Sequence, residues 1–173
     1  MAHIVIIGAG LGGMPMAYEM QEQLRPGDKV TVVGNGPDYH FVPSNPWVAV
    51  RWRKRAEIEF PVAPSLAKKG IGFNPAGAKR VHPERNQVEL GDGTMLDYDY
   101  LVVATGPKLA FEEIEGLGPE GFTQSVCHVD HAERAAGAWD EFVKAPGPIV
   151  VGAVQGASCF GPAYEFCFIM ETD

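Results

Sequence analysis

Residues 3–13 read His3-Ile-Val-Ile-Ile-Gly8-Ala-Gly10-Leu-Gly-Gly13. The branched apolar residues at the start of this stretch are typical of a buried parallel strand. Three glycines then follow in the G-x-G-x-x-G spacing. In that spacing Gly8 permits the turn out of the strand, Gly10 lets the backbone approach a pyrophosphate, and Gly13 lets the next helix pack closely. The free N–H groups at the start of a helix also attract phosphate. The stretch therefore predicts a dinucleotide site.

The residues after the glycines predict the rest of a β-α-β unit. Apolar residues recur at three- and four-residue steps, as on the packed face of a helix: Leu11, Met14, Ala17, Met20 and Leu24. Residues 25–27, Arg-Pro-Gly, end that helix, and residues 30–33, Val-Thr-Val-Val, predict the next strand. This context favours a dinucleotide site over the alternative, a glycine turn with a purely structural role.

Composition restricts the class of protein. The chain has 173 residues, 46% of them apolar and 21% charged, which is typical of one folded domain with a real core. Its formal net charge of -8 argues against a nucleic-acid partner. No apolar run approaches the roughly 20 residues that span a bilayer, and the early first strand leaves no room for a signal peptide. The three cysteines are too few and too scattered for a disulfide scaffold or a four-ligand zinc site, so no metal is predicted.

The second strand ends without the acidic residue that usually binds a ribose hydroxyl in dinucleotide folds. Residues 33–38 read Val-Gly-Asn-Gly-Pro-Asp. Asn35 and Asp38 are the candidates for that contact, and a simple turn is the alternative for each.

Residues 39–47, rich in aromatic residues and proline, predict an ordered loop. Residues 51–55 combine Trp52 with four basic residues, a pattern for which a solvated face is favoured over an anion site.

The middle of the chain predicts several short elements. A helix is expected over 61–69 and a strand at 71–73. The segments 79–81, 87–90 and 95–96 are separated by turn residues and predict a small antiparallel meander. Residues 98–103, Tyr-Asp-Tyr-Leu-Val-Val, predict a mainly apolar strand that runs into Ala104-Thr105-Gly106, where a glycine lets the backbone come close to a cofactor.

The last third repeats the strand-then-glycine arrangement of the first. A helix is expected over 130–144, with Asp130 as its N-cap and Glu133 completing a capping box. Residues 149–154 predict a strand that leads into a glycine loop, and residues 163–170 predict a helix. This pair of elements is interpreted as the start of a second module, on which the chain stops.

Four stretches carry a resemblance to the sulfide:quinone oxidoreductases, flavoproteins of the pyridine-nucleotide disulfide oxidoreductase family: residues 7–15, 41–47, 98–109 and 156–165. The second, Phe-Val-Pro-Ser-Asn-Pro-Trp, and the fourth, Gly-Ala-Ser-Cys-Phe-Gly-Pro-Ala-Tyr-Glu, are more particular than the glycine motifs, which many flavoproteins share. The resemblance covers essentially the whole chain and under half of a full-length family member, its amino-terminal part.

The resemblance implies an α/β fold: a Rossmann-like FAD-binding domain with a central parallel sheet and a small antiparallel meander, followed by the start of a second Rossmann-like module. The corresponding boundaries are 1–110 for the FAD-binding domain, 111–147 for a connection and helix, and 148–173 for the truncated second module. The cofactor is expected to be FAD. The residues expected to bind it are Gly8, Gly10, Gly12, Gly13, Asn35, Pro43, Asn45, Lys79, Thr105 and Gly106.

The resemblance also implies the catalytic residues. Cys159 resembles the redox cysteine beside the flavin, whose partner lies in the absent carboxyl-terminal half, and Cys127 resembles the third essential cysteine of the family. His131 and Glu165 resemble residues that move protons. Considered without the resemblance, an isolated cysteine usually packs as a small hydrophobe, which is the interpretation kept for Cys167.

The activity implied is FAD-dependent oxidation of sulfide to polysulfide or sulfur, with electron transfer to a membrane quinone. The implied protein is a peripheral membrane protein of a prokaryote that contacts the membrane through its missing carboxyl-terminal part, and a homo-oligomer is possible. The chain alone is expected to be inactive. The alternatives are a type II NADH dehydrogenase, the flavoprotein of a flavocytochrome c sulfide dehydrogenase, and a non-catalytic nucleotide-binding module.

Overall fold

The structure, a computed structural model, describes residues 1–157 and 160–173. Its contacts divide the chain into two compact units. The first unit contains residues 1–40 and 59–109, and the second contains residues 41–58 and 110–173. The expected boundaries 1–110, 111–147 and 148–173 stay a prediction.

The strands are β1 (His3–Ile7), β2 (Lys29–Val33), β3 (Asp38–His40), β4 (Glu59–Pro61), β5 (Gly72–Asn74), β6 (Ala78–His82), β7 (Gln87–Leu90), β8 (Met95–Asp97) and β9 (Tyr100–Val103). The helices are α1 (Gly13–Glu22), α2 (Asn45–Ala49), α3 (Val62–Ala67), α4 (Val129–Phe142) and α5 (Gly161–Thr172). Single 3-10 turns lie at Val42–Ser44, Arg55–Glu57, Pro83–Arg85 and Phe111–Glu113.

A parallel sheet forms the centre of the first unit, with the strand order β5-β2-β1-β9. Its middle strands are buried on both faces, as their continuous apolar sequence requires. On one face Ile6 and Val32 pack against α1 and α3, and on the other Val5 and Val33 pack against the strand β7. The expected α/β fold with a central parallel sheet is confirmed.

The antiparallel meander is confirmed as well. Strand β7 pairs with β6 on one side and with β8 on the other. Its alternating pattern buries Val88 and Leu90, whereas Gln87 and Glu89 are partly exposed. Period-two alternation of this kind is what a sheet needs when one face is buried and the other meets solvent.

The second unit is helical. Buried apolar residues of α2 and α4 pack together, among them Val48, Val129 and Ala132. A second cluster joins Val50, Trp139 of α4 and Ile169 of α5. The helices expected over 130–144 and 163–170 are thereby confirmed, each with slightly different ends.

Several expectations about local structure are wrong. Leu11 is 48% exposed because it lies in the glycine turn, two residues before α1 begins. Residues 39–47 are not one loop, since β3 pairs with β4 and α2 begins at Asn45. The cap of α4 is His128, and Asp130 lies inside the first turn, where it forms an ion pair with Arg55 instead of a capping box.

The strand expected at 149–154 does not form, so this part of the second module is not built as expected. A β-strand is stable only when a neighbouring strand satisfies its backbone N–H and C=O groups. Within the part of the chain that the structure describes, no strand pairs with these residues, and Val150 is almost fully exposed.

Candidate functional site

The glycine turn after β1 is shaped by two close backbone approaches. Gly8 has a φ of +113°, and a Cβ atom there would lie 2.1 Å from the carbonyl oxygen of Ala104. A Cβ atom at Gly13 would lie 1.8 Å from the carbonyl oxygen of Gly8. Real Cβ atoms do not approach backbone oxygens so closely, so only glycine fits at either position. Gly8 therefore allows the turn out of β1 and the close approach of Ala104, and Gly13 lets α1 begin directly against the end of β1.

The second glycine differs from the other two. A Cβ atom at Gly10 would meet no protein atom within 4 Å, and one at Gly12 would meet only the Ala104 side chain at an ordinary 3.7 Å. Open space at this point, next to the start of the ten-residue helix α1, is what a bound pyrophosphate needs. Gly106, with a φ of +72°, also has open space where a Cβ would stand. The turn therefore fits a dinucleotide.

Three other cofactor candidates of the first unit lie on or just after three different strands. Asn35 is exposed just after β2 and forms an isolated bridge with Ala76. Thr105 is exposed and follows β9, the strand that pairs with β1. Lys79 lies in the meander, where its Nζ donates a hydrogen bond of 2.7 Å to Glu89. The ion pair lowers the pKa of the Glu89 carboxyl. Whether these three residues contact a cofactor stays a prediction.

Pro43 and Asn45 belong to the second unit. Pro43 is exposed, whereas Asn45 is completely buried. Both polar atoms of the Asn45 side chain lack a hydrogen-bond partner among the described residues. The adjacent Ser44 is also buried, but its Oγ accepts a hydrogen bond of 2.9 Å from Arg53. A buried amide without partners is costly, and this marks Asn45 as the least satisfied polar side chain of this segment.

The expected catalytic residues have unlike surroundings. Cys127 is exposed, and its N–H donates to the Ser125 Oγ at 3.2 Å. Glu165 is exposed on α5, and Cys159 lies outside the described residues. Cys167 is exposed, so the expectation that it packs as a buried hydrophobe is wrong. The roles of Cys127, Cys159 and Glu165 stay predictions.

Among the expected catalytic residues that the structure describes, His131 is the most enclosed. Its ring lies 5.6 Å from that of Phe111 and 5.3 Å from that of His128, measured between centroids. Its Nδ1 is buried and has no hydrogen-bond partner among the described residues. Burial lowers the pKa of His131, and the charge of His128 acts in the same direction. The imidazole is therefore kept neutral near neutral pH, with one nitrogen to which no described residue is hydrogen-bonded.

Ion pairs and hydrogen bonds occupy the basic segment 51–55, for which the sequence favours a solvated face. Arg51 pairs with Asp140 and Asp173, and Arg55 pairs with Asp130 and Glu133. Arg53 lies over the Trp47 ring, and Trp52 donates to Asp173. The acidic partners in these ion pairs lie 75 or more residues away along the sequence, so no local sequence signal could have revealed them.

A parallel sheet whose first strand ends in this glycine turn defines a dinucleotide-binding α/β protein. The sequence profile of the family "Pyridine nucleotide-disulphide oxidoreductase" matches residues 2–159. The chain belongs to this family. Its members are FAD-binding flavoproteins, which confirms FAD as the expected cofactor at the level of the family.

The relatives agree with the resemblance to the sulfide:quinone oxidoreductases. A sulfide-quinone reductase of Aquifex aeolicus (strain VF5) is 41% identical over 98% of this chain. The crystal structure of the sulfide:quinone oxidoreductase from that bacterium covers 99% of this chain at 40% identity, with a TM-score of 0.91. A mitochondrial sulfide:quinone oxidoreductase of Dictyostelium discoideum is 28% identical over 97% of the chain.

The matched relatives are much longer than this chain. This chain spans 38% of the length of the Aquifex and Dictyostelium relatives and 39% of the Aquifex structure. An NAD-dependent persulfide reductase from A. fulgidus has a TM-score of 0.66 at 27% identity over 80% of this chain. Among the described residues, no helix is long and apolar enough to cross a membrane.

Proposed function

We propose that this chain is the part of a sulfide:quinone oxidoreductase that binds FAD and carries two of the reacting cysteines. The whole protein would oxidise sulfide to polysulfide or sulfur and transfer the electrons to a quinone. The observation that carries this proposal is the similarity to the Aquifex enzyme, with a TM-score of 0.91 at 40% identity over 99% of the chain.

The chain's own contribution to cofactor binding begins at the glycine turn. The backbone at Gly10 leaves room for a pyrophosphate, and the nearby helix start supplies N–H groups and a partial positive charge. Thr105 and Gly106 follow the neighbouring strand β9 and are exposed, so they are available to the same ligand. When bound, FAD supplies a two-electron acceptor that can be reoxidised by a quinone.

The cysteines supply the sulfur chemistry. A hydrosulfide ion attacks one sulfur of a disulfide, the S–S bond breaks, one cysteine keeps the new persulfide and the other is released as a thiolate. We assign Cys159 to this disulfide, with a partner outside the present chain, and Cys127 to the handling of the growing sulfur chain. The exposure of Cys127 supports this role, because a thiol must be accessible to react.

His131 and Glu165 are proposed to move protons. A neutral imidazole with a free nitrogen can accept a proton, and burial keeps His131 in that form. Hydrogen sulfide must lose a proton before its sulfur attacks. His131 is suited to accept that proton, and the exposed carboxylate of Glu165 is suited to exchange it with solvent.

Membrane contact, a quinone site and oligomerisation are proposed for the parts of the protein outside this chain. The isolated chain is accordingly proposed to be inactive in turnover. The type II NADH dehydrogenases share the fold, since the enzyme from Plasmodium falciparum has a TM-score of 0.65 at 20% identity. They need no reacting cysteines, whereas Cys127 and Cys159 belong to the proposed sulfur chemistry of this chain.

The test uses the full-length protein and follows quinone reduction driven by sulfide. Cys159→Ser should abolish it, because serine forms neither the disulfide nor the thiolate. Cys167→Ser is the matched control, since this exposed thiol has no assigned role and its loss should leave the rate unchanged. Normal sulfide oxidation by Cys159→Ser would contradict the proposal, and quinone reduction driven by NADH instead would favour the alternative.

A further inference from the structure

One carboxylate of the second unit accepts hydrogen bonds from three side chains that come from two different parts of the sequence. Asp173, at the end of α5, accepts from the Trp139 Nε1 at 2.7 Å, from the Trp52 Nε1 at 2.7 Å and from the Arg51 Nη2 at 2.9 Å. An ionised carboxylate has enough acceptor sites for all three donors. Trp139 lies on α4, and the other two donors precede the first 3-10 turn after α2.

The donors depend on this acceptor. A buried indole N–H needs a hydrogen-bond partner, and Trp139 is 9% exposed, with its ring stacked on Phe142. Arg51 adopts a φ of +67°, a left-handed conformation that residues other than glycine rarely adopt without compensation. Its side chain gains that compensation by bridging Asp173 and Asp140.

Apolar packing continues the same contact along α5. Ile169 is buried against Val50 and Trp139, with Phe166 and Met170 packed beside them. Most other residues of α5 are exposed, among them Tyr164, Glu165, Cys167, Phe168 and Glu171. The apolar contacts of the helix are therefore made by Phe166, Ile169 and Met170, which the Asp173 carboxylate follows.

We propose that Asp173 is a positioning residue, which fixes α5 to α4 and to residues 51–52 by its hydrogen bonds to Arg51, Trp52 and Trp139. α5 carries Glu165, so an effect of Asp173 on proton transfer by Glu165 rests on the proposed function. The attachment of α5 is independent of that function, since it needs neither sulfide nor flavin. Asp173 has this role through the helix and touches no reacting atom.

The test is made on the whole 173-residue chain labelled with ¹⁵N. The chain has three tryptophans, and their indole N–H resonances report directly on hydrogen bonding. Asp173→Ala should shift the resonances of Trp52 and Trp139, which lose a hydrogen bond, by more than that of Trp47, which only packs against the same apolar cluster. The amides of α5 should then exchange with solvent about tenfold faster or more, since charge-assisted hydrogen bonds are lost.

Glu171→Gln is the matched control, because it removes one negative charge from the same turn of α5 at an exposed position. It should change neither the indole resonances nor the exchange. Asp173→Asn retains one carbonyl oxygen and should give an intermediate exchange rate, which also keeps the test valid if Asp173→Ala does not fold. Unshifted Trp52 and Trp139 resonances would overturn the proposal, and so would unchanged α5 exchange in both Asp173 variants.

Discussion

The third glycine of the opening turn packs directly on the first: a Cβ atom at Gly13 would lie 1.8 Å from the carbonyl oxygen of Gly8. Helix α1 can start where it does only because no side chain separates it from the end of β1. Gly10 lies between these two glycines in sequence, yet a Cβ there would meet nothing within 4 Å. One motif thus contains positions that serve the fold and a position that leaves room for a ligand.

Gly13→Ala should destabilise the fold. The added methyl group meets backbone atoms that cannot move aside cheaply, so we expect a loss of about 1–3 kcal/mol in the free energy of unfolding, the usual cost of overpacking. Urea unfolding measures it. Gly137→Ala on the exposed face of α4 is the control, since its Cβ has free space and alanine favours a helix. Equal stability of Gly13→Ala and the parent chain would show that the close approach is absent.

Gly10→Ala should weaken cofactor binding and leave the stability of the fold unchanged. The fold has room for the methyl group, so the urea midpoint should stay unchanged. Affinity for FAD should fall by about tenfold or more, because the methyl group occupies the space of the pyrophosphate and each 1.4 kcal/mol lost is a factor of ten. Titration of the chain with FAD, followed by flavin fluorescence, measures it. Unchanged affinity would place the pyrophosphate elsewhere, and Gly137→Ala is again the control.

His3 should make the stability depend on pH. Burial lowers its pKa below the ordinary value of 6.5, and the charge of Lys29 adds to the effect. The unfolded chain then binds the proton more readily than the folded one, so stability is greatest above pH 6.5 and falls as the pH drops from there through the lowered pKa. His3→Gln should reduce this fall and still provide an amide to bond with the Thr31 hydroxyl, now 2.8 Å from the His3 Nε2.

Urea unfolding at several values between pH 8 and pH 5 tests the expectation. Because burial also lowers the pKa of His131, His3→Gln should remove only part of the pH dependence, and His131→Gln should remove another part. A pH dependence identical in His3→Gln and the parent chain would contradict the role of His3.

The sequence was most informative where local pattern alone determines structure. Residues 3–13 predict a strand, a glycine turn and a helix, and the alternation in residues 87–90 predicts a strand with one buried face; both are observed. Such predictions succeed because strand and helix periods are properties of consecutive residues.

The predictions that failed depend on distant partners. Residues 149–154 have the composition of a strand, but a strand also needs a neighbour, which composition does not reveal. Asp130 has the sequence of an N-cap, yet Arg55 draws it into an ion pair from 75 positions away. The three bonds to Asp173 are equally invisible in sequence, since two of their donors lie more than 100 residues away.

The Asp173 carboxylate should make the stability of the fold depend on pH in the acidic range. Hydrogen bonds from Trp139, Trp52 and Arg51 hold the pKa of Asp173 below its ordinary value of 3.8. A lowered pKa means that the folded state favours the charged form, so the stabilisation is complete above pH 3.8 and is lost as the pH falls through the lowered pKa. Asp173→Asn should be less stable than the parent chain at pH 6, and the difference should shrink towards pH 2.

Urea unfolding from pH 6 to pH 2 measures that difference, with Glu171→Gln as the exposed control. Other carboxyl groups of the chain make the comparison necessary, because the pKa values of Asp28, Glu89 and Asp92 are also lowered and these groups also lose stabilisation in acid. The parent chain therefore weakens in acid for several reasons, and only the part removed by Asp173→Asn belongs to the hydrogen bonds from Trp139, Trp52 and Arg51. A difference in stability that stays constant from pH 6 to pH 2 would mean that the charge of Asp173 does not hold α5.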